Sequence, residues 1–307
     1  MSDDIMCVGE ILWDALPEGL FLGGAPFNVA RHLHALHQNV IFVSRVGNDV
    51  LGREALRRLR AHGLADDLVQ MDDTLPTGFV RVELEPDTGE PNYEIVEPVA
   101  WDAIALTDAL RTRAASVDAL VYGTLAQRAN PSRETIQRLC EGDLLRVFDV
   151  NLRPPYVDVD AVEHSLQAAD VVKMNASELE RLRGWFDVRS SDPAEAMEEV
   201  ATRFHCTTVC VTWGSKGARL WQEGTCAHHQ GYGVAVEDTV GAGDAFLSAL
   251  LAGLLDGRRG PSLLDLANRL GAYVASHSGA FPSYEIDTLD DVATLPLRDP
   301  HSSDPRE

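Results

Sequence analysis

Asp238-Thr239-Val240-Gly241-Ala242-Gly243-Asp244-Ala245-Phe246 runs directly into Leu247-Ser248-Ala249-Leu250-Leu251-Ala252-Gly253-Leu254-Leu255. A glycine-rich turn thus feeds an apolar stretch of good helix formers. The first turn of a helix carries unpaired N–H groups and the positive end of the macrodipole. Small residues at 241 to 243 let an anion come close to that backbone. The stretch reads as a phosphate cradle. Asp244 is out of place in a loop that only binds phosphate, because its carboxylate would repel the ligand. Two readings account for it. It is an N-terminal acid that stabilises its own helix, or it is a base that takes a proton from a hydroxyl attacking the phosphate.

The chain around this stretch has 307 residues, 45% of them apolar. That is enough for one large α/β domain or two smaller ones. Lys and Arg number 26 against 48 Asp and Glu, a formal charge of −22. Such a surface repels nucleic acid and anionic membranes, so neither is an expected partner. Five cysteines, at 7, 140, 206, 210 and 226, are odd in number and scattered, which does not suggest a disulfide framework. Cys206 and Cys210 read as buried thiols rather than a metal pair. No apolar run reaches the roughly 18 residues of a membrane span. Met1-Ser2-Asp3-Asp4 is acidic where a signal peptide is basic. A soluble, cytoplasmic protein is expected.

Toward the N-terminus, residues 5–12 read as one buried strand ending in Trp13-Asp14-Ala15-Leu16-Pro17. Asp14 is then a turn former or, since a carboxylate accepts two hydrogen bonds from a diol, a sugar ligand. Gly23-Gly24-Ala25-Pro26-Phe27-Asn28-Val29-Ala30 opens a helix at Pro26, with Phe27, Val29, Ala30, Leu33 and Leu36 on its apolar face. His32, His34 and His37 on that helix read as solvated rather than metal-binding. Residues 40–46 read as a strand and 50–62 as a helix stopped by Gly63. Residues 77–84 and 92–96 alternate with period two around the turn cluster 86–90, a hairpin with one wet face that lies outside the main sheet.

From Val117 onward, strands at 117–122, 145–150, 171–174 and 208–212 alternate with helices near 131–140, 158–168, 176–183 and 193–204. Repeated βα units imply a parallel sheet covered by helices on both faces, with ligands at the carboxyl ends of the strands. At those ends stand Asp149-Val150-Asn151-Leu152-Arg153, Asn175-Ala176-Ser177-Glu178 and Thr212-Trp213-Gly214-Ser215-Lys216-Gly217. Taken singly, Arg153 reads as a surface ion-pair partner, Asn175 as a helix cap, and 212–217 as a hairpin turn. The tail from about Arg298 reads as disordered.

Taken together, these segments resemble a known family. The nine positions 238–246 match the C-terminal signature of the ribokinase-like (PfkB) carbohydrate kinases. Gly23-Gly24-x-x-x-Asn28 resembles that family's N-terminal sugar-binding signature, and Gly9-Glu10-Ile11-Leu12-x-Asp14 resembles the start of its fructokinase-like members. Val46-Gly47-x-Asp49-x-x-Gly52 resembles a structural loop of the family. The resemblance runs in the family's order from about residue 5 to 290. It implies a three-layer α/β/α fold with a mostly parallel central sheet and a small β-sheet lid. A single domain over 1–297 is expected, with lid strands near 12–22 and 74–101.

The resemblance also assigns roles. Asp244 becomes the catalytic base, and the backbone of Gly241, Ala242 and Gly243 the anion hole. Asp14, Gly24, Asn28 and Arg153, with Asp244, face the sugar. Asn175, Thr212, Gly214, Ser215 and Gly217 bind the nucleotide with Gly241 and Gly243, while Asn268, on a helix over 262–276, borders the adenine. Glu178 and Asn175 order Mg²⁺ through water, and Glu178, at a strand end, is not a core group. Asp238, Gly279 and Ser283 resemble the monovalent-cation (K⁺) site of some members. An aromatic of the lid, Phe79 or Tyr93, reaches the sugar, and a homodimer through the lid is one expectation. Trp213 stands where the family has Leu or a smaller residue. The implied activity is ATP-dependent phosphorylation of a primary sugar hydroxyl, with fructose first. A 2-keto-3-deoxygluconate kinase, a ribokinase, a nucleoside kinase and a non-catalytic sugar-binding relative are the alternatives. A dinucleotide-dependent oxidoreductase is excluded, because no G-x-G-x-x-G follows the first strand.

Overall fold

The computed structural model describes residues 3–16, 19–84, 91–285 and 288–298. Its N-terminal part runs β1 (Asp4–Val8), β2 (Leu12–Leu16), β3 (Gly19–Gly23), α1 (Ala25–Ala35), β4 (Asn39–Gly47), α2 (Val50–Ala61), β5 (Val69–Asp72), β6 (Gly78–Leu84) and β7 (Pro91–Ile95). The middle runs α3 (Asp108–Ala114), β8 (Ala119–Gly123), α4 (Asn130–Leu139), β9 (Leu145–Asp149), α5 (Val159–Ala168), β10 (Val171–Asn175), α6 (Ala176–Phe186) and α7 (Pro193–Phe204). The chain closes with β11 (Thr208–Thr212), β12 (Ala218–Gln222), β13 (Thr225–His229), α8 (Ala242–Leu255), α9 (Gly260–Ala275) and α10 (Thr288–Ala293).

Nine strands form one sheet in the order β13-β12-β11-β10-β9-β8-β1-β4-β5. From β11 to β5 every pairing is parallel; only β12 and β13 run antiparallel, at one edge. Side chains alternate across such a sheet, and the sequence uses both faces. Met6, Val8, Leu120, Tyr122, Phe148 and Val172 face one core, shared with α3 to α7. Ile5, Cys7, Ala119, Val121, Val147 and Val171 face the other, shared with α1, α2, α8 and α9. The result is the expected ribokinase-like three-layer arrangement. Among the described residues, no helix is long and apolar enough to cross a membrane. Cys206 and Cys210 are both buried thiols.

The second sheet has four strands in the order β3-β2-β6-β7. It is the lid, and it corrects two readings. Residues 5–12 are not one strand: β1 stops at Val8, the chain turns through Gly9, whose φ is +151°, and β2 belongs to the other sheet. Asp14 is therefore not at a strand end but in the middle of β2, opposite Phe21 and Val80. The lid is anchored at its crossings. Asp49 accepts hydrogen bonds from the Thr77 N–H (2.9 Å) and hydroxyl (2.8 Å) where β6 begins. The buried Arg128 pairs with Asp102 and donates to the Val96 carbonyl (2.8 Å) where β7 leaves. Turn 86–90, the side chain of Tyr93 and the tail 299–307 lie outside the described residues.

Candidate active site

Three polar segments meet at the carboxyl ends of β1, β9 and β10 and at the start of α8. Gly241 caps α8 with φ +76°, and a Cβ there would stand 2.6 Å from Ala280. Glycine is required on both counts. Asp244, in the first turn of α8, accepts a hydrogen bond from Asn28 Nδ2 at 2.8 Å. Residues 216 positions apart are thereby joined, and α1 and α8 pack side by side beneath them. Burial pushes the Asp244 carboxyl up to about 6. The Asp149 carboxylate adds to that rise, while Asn28, Lys173 and Arg153 oppose it.

Asp14 and the glycine pair converge on the same place. A Cβ on Gly23 would lie 2.6 Å from Asp14 Oδ2, and one on Gly24 would clash with the Glu10 carbonyl. Gly24 also has φ +112°. Burial pushes Asp14 up to about 6, against the nearby Arg153 guanidinium. Arg153 itself is exposed, and among the described residues its guanidinium hydrogen-bonds the Leu152 carbonyl at 3.1 Å. Its charge faces Glu10, Asp14 and Asp244. The five sugar-facing residues expected from the sequence are thus brought together.

Lys173 was not singled out by the sequence reading. It is a lone cation in the apolar strand β10, 6% exposed, and bonds both oxygens of Asp149 at 3.1 and 3.3 Å. Its ammonium lies 3.2 Å from where a Gly243 side chain would begin, directly against the glycine turn. Burial alone would lower its pKa, but Asp149, Glu178 and Asp244 outweigh that and hold it raised and charged. A lysine inside a buried strand almost never stands alone, and that was the signal available in the sequence.

Glu178 departs from expectation. It is 4% exposed, and both oxygens accept backbone N–H bonds, Oε1 from Leu152 and Oε2 from Asn175, each at 2.8 Å. Asn175 answers by capping the Glu178 N–H (2.9 Å), a complete capping box. Glu178 is therefore a core group after all: it staples α6 to the turn that carries Arg153. Burial raises its pKa, helped by the Asp149 carboxylate.

Asn175 pairs in register with Thr212, so the residues of β10 and β11 expected to bind nucleotide are neighbours. Residues 212–217 form the hairpin turn between β11 and β12, with Gly214 and Gly217 both at positive φ. Asn268 is buried and spends its amide N–H on the Leu264 carbonyl, while a Cβ on Gly271 would lie 3.4 Å from the Ala242 carbonyl. His32 is fully buried rather than solvated. It falls one helical turn after Asn28 and bonds Tyr284 Oη (2.9 Å) and the Ala280 carbonyl (3.0 Å). Asp238 bonds the N–H groups of Val240 and Gly279, each at 3.0 Å.

Residues 18–287 match the family model described as "pfkB family carbohydrate kinase". The chain belongs to the pfkB family of carbohydrate kinases. A sugar kinase of Pyrococcus horikoshii is 30% identical, with 93% of this chain and 94% of its own covered. The crystal structure of that protein superimposes with a TM-score of 0.79 over 94% of this chain and 97% of its own. Escherichia coli fructokinase is 30% identical, covering 91% of this chain and 95% of itself. The ATP-bound fructokinase of Xylella fastidiosa, at 21% identity over 95% of this chain and 98% of its own, shares the fold with a TM-score of 0.81. The pfkB chain described here is accordingly a phosphotransferase acting on a carbohydrate.

Proposed function

We propose that this pfkB enzyme transfers the γ-phosphate of ATP to the primary O6 hydroxyl of fructose. The observation that carries the reading is the Asp244–Asn28 bond beside the Gly241–Gly243 backbone and the Lys173 ammonium. Asp244 takes the proton of the hydroxyl. The oxygen attacks the γ-phosphorus, the new P–O bond forms as the bond to the β-bridging oxygen breaks, and ADP leaves. The N–H groups of residues 241–243 and Lys173 meet the charge in flight. Asp14, Gly24, Asn28 and Arg153 orient the sugar, and Asn175, Thr212, Gly214, Ser215, Gly217 and Asn268 line the nucleotide side.

Mg²⁺ fits as an ion that arrives on ATP and keeps most of its water. Asn175 and Glu178 are hard oxygen donors, but their oxygens are already engaged by the capping box, which suits contact through water rather than direct ligation. The ion would supply neutralisation of phosphate charge. The relatives support the reading: ATP is bound in a structure of the Pyrococcus sugar kinase at 28% identity, and fructokinases recur among the similar proteins. A cytoplasmic enzyme is the matching location. The exposed Leu20 and Phe21 on β3, an outer strand of the lid, suit a homodimer formed there.

A second acceptor has an observation of its own. The Arg153 guanidinium faces the site without a carboxylate bonded to it, and such a fork suits the acid group of 2-keto-3-deoxygluconate. A coupled ADP-release assay with MgATP over fructose, ribose, 2-keto-3-deoxygluconate and adenosine decides. Fructose is expected to give the highest kcat/KM. A higher value for the keto acid moves the assignment to it, and no ADP release with any acceptor overturns the kinase reading.

A further inference from the structure

Glu10 stands where the chain leaves β1 for the lid. It is 4% exposed, and its Oε2 meets no hydrogen-bond donor among the described residues. Burying a carboxylate in that condition is costly, so its surroundings ought to say what it serves. On one side it faces the N–H of Ala25, the first residue of α1. That helix carries Asn28, three residues on, against Asp244. On the other side Glu10 lines a cavity of about 10 Å³ together with Thr124, Asp149 and Asn151. This is the lower end of the room one water needs, and the polar atoms of these four residues, in a lining otherwise mostly apolar, are the partners a water would have. The Thr124 hydroxyl donates to the carbonyls of Val150 (2.9 Å) and Asn151 (3.1 Å), so the same wall shapes the turn that presents Arg153.

We propose that Glu10 is a positioning residue of the acceptor site: it ties the Ala25–Asn28 end of α1 to the Asp149–Arg153 turn through one bound water, and so sets the spacing of the two segments that face the sugar. The proposal rests on the acceptor-site reading given above. Burial pushes the Glu10 carboxyl up to about 7; the N–H groups of Glu10 and Ala25 and the Arg153 guanidinium oppose the rise, and the Asp244 carboxylate adds to it. The folded state thus holds this proton more tightly than the unfolded chain. Stability from that preference is present at low pH and is lost as pH rises through about 7. Glu10 at pH 8 costs stability while it serves binding. Opposite signs in those two readouts distinguish positioning from mere support of the fold.

The experiment uses wild type, Glu10→Ala and Glu10→Gln, with MgATP and D-fructose as probe, or the best acceptor of the panel if fructose is not turned over. Glu10→Ala is expected to raise the acceptor KM about tenfold or more, with kcat and the ATP KM within about threefold. Glu10→Gln is expected to raise the acceptor KM about threefold and to melt at pH 8 no lower than wild type. A folded Glu10→Ala with a wild-type acceptor KM overturns the proposal, as does an equal rise in the acceptor and ATP KM values. If Glu10→Ala does not fold, Glu10→Gln decides, and an unchanged acceptor KM overturns the proposal. A wild type that turns over no sugar sinks the kinase reading instead, and this proposal falls with it.

Discussion

Around Asp14, Asn28, Asp149 and Asp244 the cleft is walled by polar and charged side chains. Asn28 holds Asp244, Lys173 holds Asp149, and Arg153 faces Glu10, Asp14 and Asp244. Over β11 and β10 it is walled by backbone: the 212–217 hairpin, the glycine turn at 241–243, and a capping box whose side chains point their oxygens at N–H groups. Under the proposed function, the difference follows from what each end would hold. A sugar presents neutral hydroxyls, which need directional acceptors and donors fixed in place. A polyphosphate presents charge, which exposed N–H groups and a helix terminus satisfy without side-chain identity. Burial raises carboxyl pKa values at the proposed acceptor end, with Asp14 and Asp244 near 6 and Glu10 near 7, and raises that of Glu178 at the other end too.

Removing the base should separate the two ends most sharply. Asp244→Asn keeps the shape and the Asn28 contact but not the proton acceptor. A fall in kcat of at least about a hundredfold is expected, with the ATP Kd nearly unchanged. In the wild type the rate should rise with pH through about 6, since Asp244 must be ionised to act. Steady-state kinetics beside calorimetric ATP titration check both. A folded, ATP-binding Asp244→Asn that turns over within about tenfold of wild type would show that the carboxylate only stabilises its helix.

The same contrast explains what could be read from the sequence. The 238–246 stretch was legible because its function is backbone geometry, and glycines at fixed spacing announce that geometry directly. The parallel sheet was legible from its βα repeats, yet β5, β12 and β13 went unread because short strands of mixed polarity carry no clear period. Lys173 shows only as a lysine in an apolar strand and Glu10 only as part of a quoted motif; their partners lie 24 residues away or more, or across a cavity, and no local spacing gives them. His32 was misread for the same reason: its partners lie about 250 positions further on, at Ala280 and Tyr284.

Glu178 sharpens the comparison at the nucleotide end, with an intermediate effect. Its two backbone bonds mean that it supports the fold as well as any metal. Glu178→Ala orphans the N–H groups of Leu152 and Asn175 and should cost about 1–3 kcal/mol of stability in denaturant melts. Glu178→Gln retains one acceptor oxygen and should cost about 0.5–2 kcal/mol, a cap-sized loss. The Mg²⁺ needed for half-maximal rate should rise in Glu178→Gln. A stability loss with unchanged Mg²⁺ dependence would leave Glu178 as a staple alone.

The smallest effect is expected from the monovalent cation. K⁺ is held by oxygen atoms, and Asp238, Gly279 and Ser283 were the expected donors. Asp238 already takes the N–H groups of Val240 and Gly279, so its carboxylate is occupied by donors of the chain itself. The Ser283 carbonyl accepts the Tyr273 hydroxyl at 2.9 Å. The Ala280 carbonyl, on the loop that packs against Gly241, faces His32 Nε2 at 3.0 Å. Burial pushes His32 down to about 4, so the ring is neutral near pH 7. With its one proton on Nε2 it donates to Ala280, and Nδ1 accepts from the Tyr284 hydroxyl, so a single tautomer satisfies both partners. Arg31 stacks on Phe281 at 4.0 Å and closes the loop from outside. The chain's own donors thus hold the loop beneath the anion hole. Exchanging K⁺ for Na⁺ or tetramethylammonium at constant ionic strength should change kcat/KM by less than about twofold, because the Asp238 carboxylate and the Ser283 and Ala280 carbonyls already have donors in the chain and gain little from an ion. Removing His32 should do what removing the cation does not: His32→Ala frees the Ala280 carbonyl and should lower kcat severalfold. A tenfold or so activation of the wild type by K⁺ would return residues 279–283 to the role that the sequence suggested.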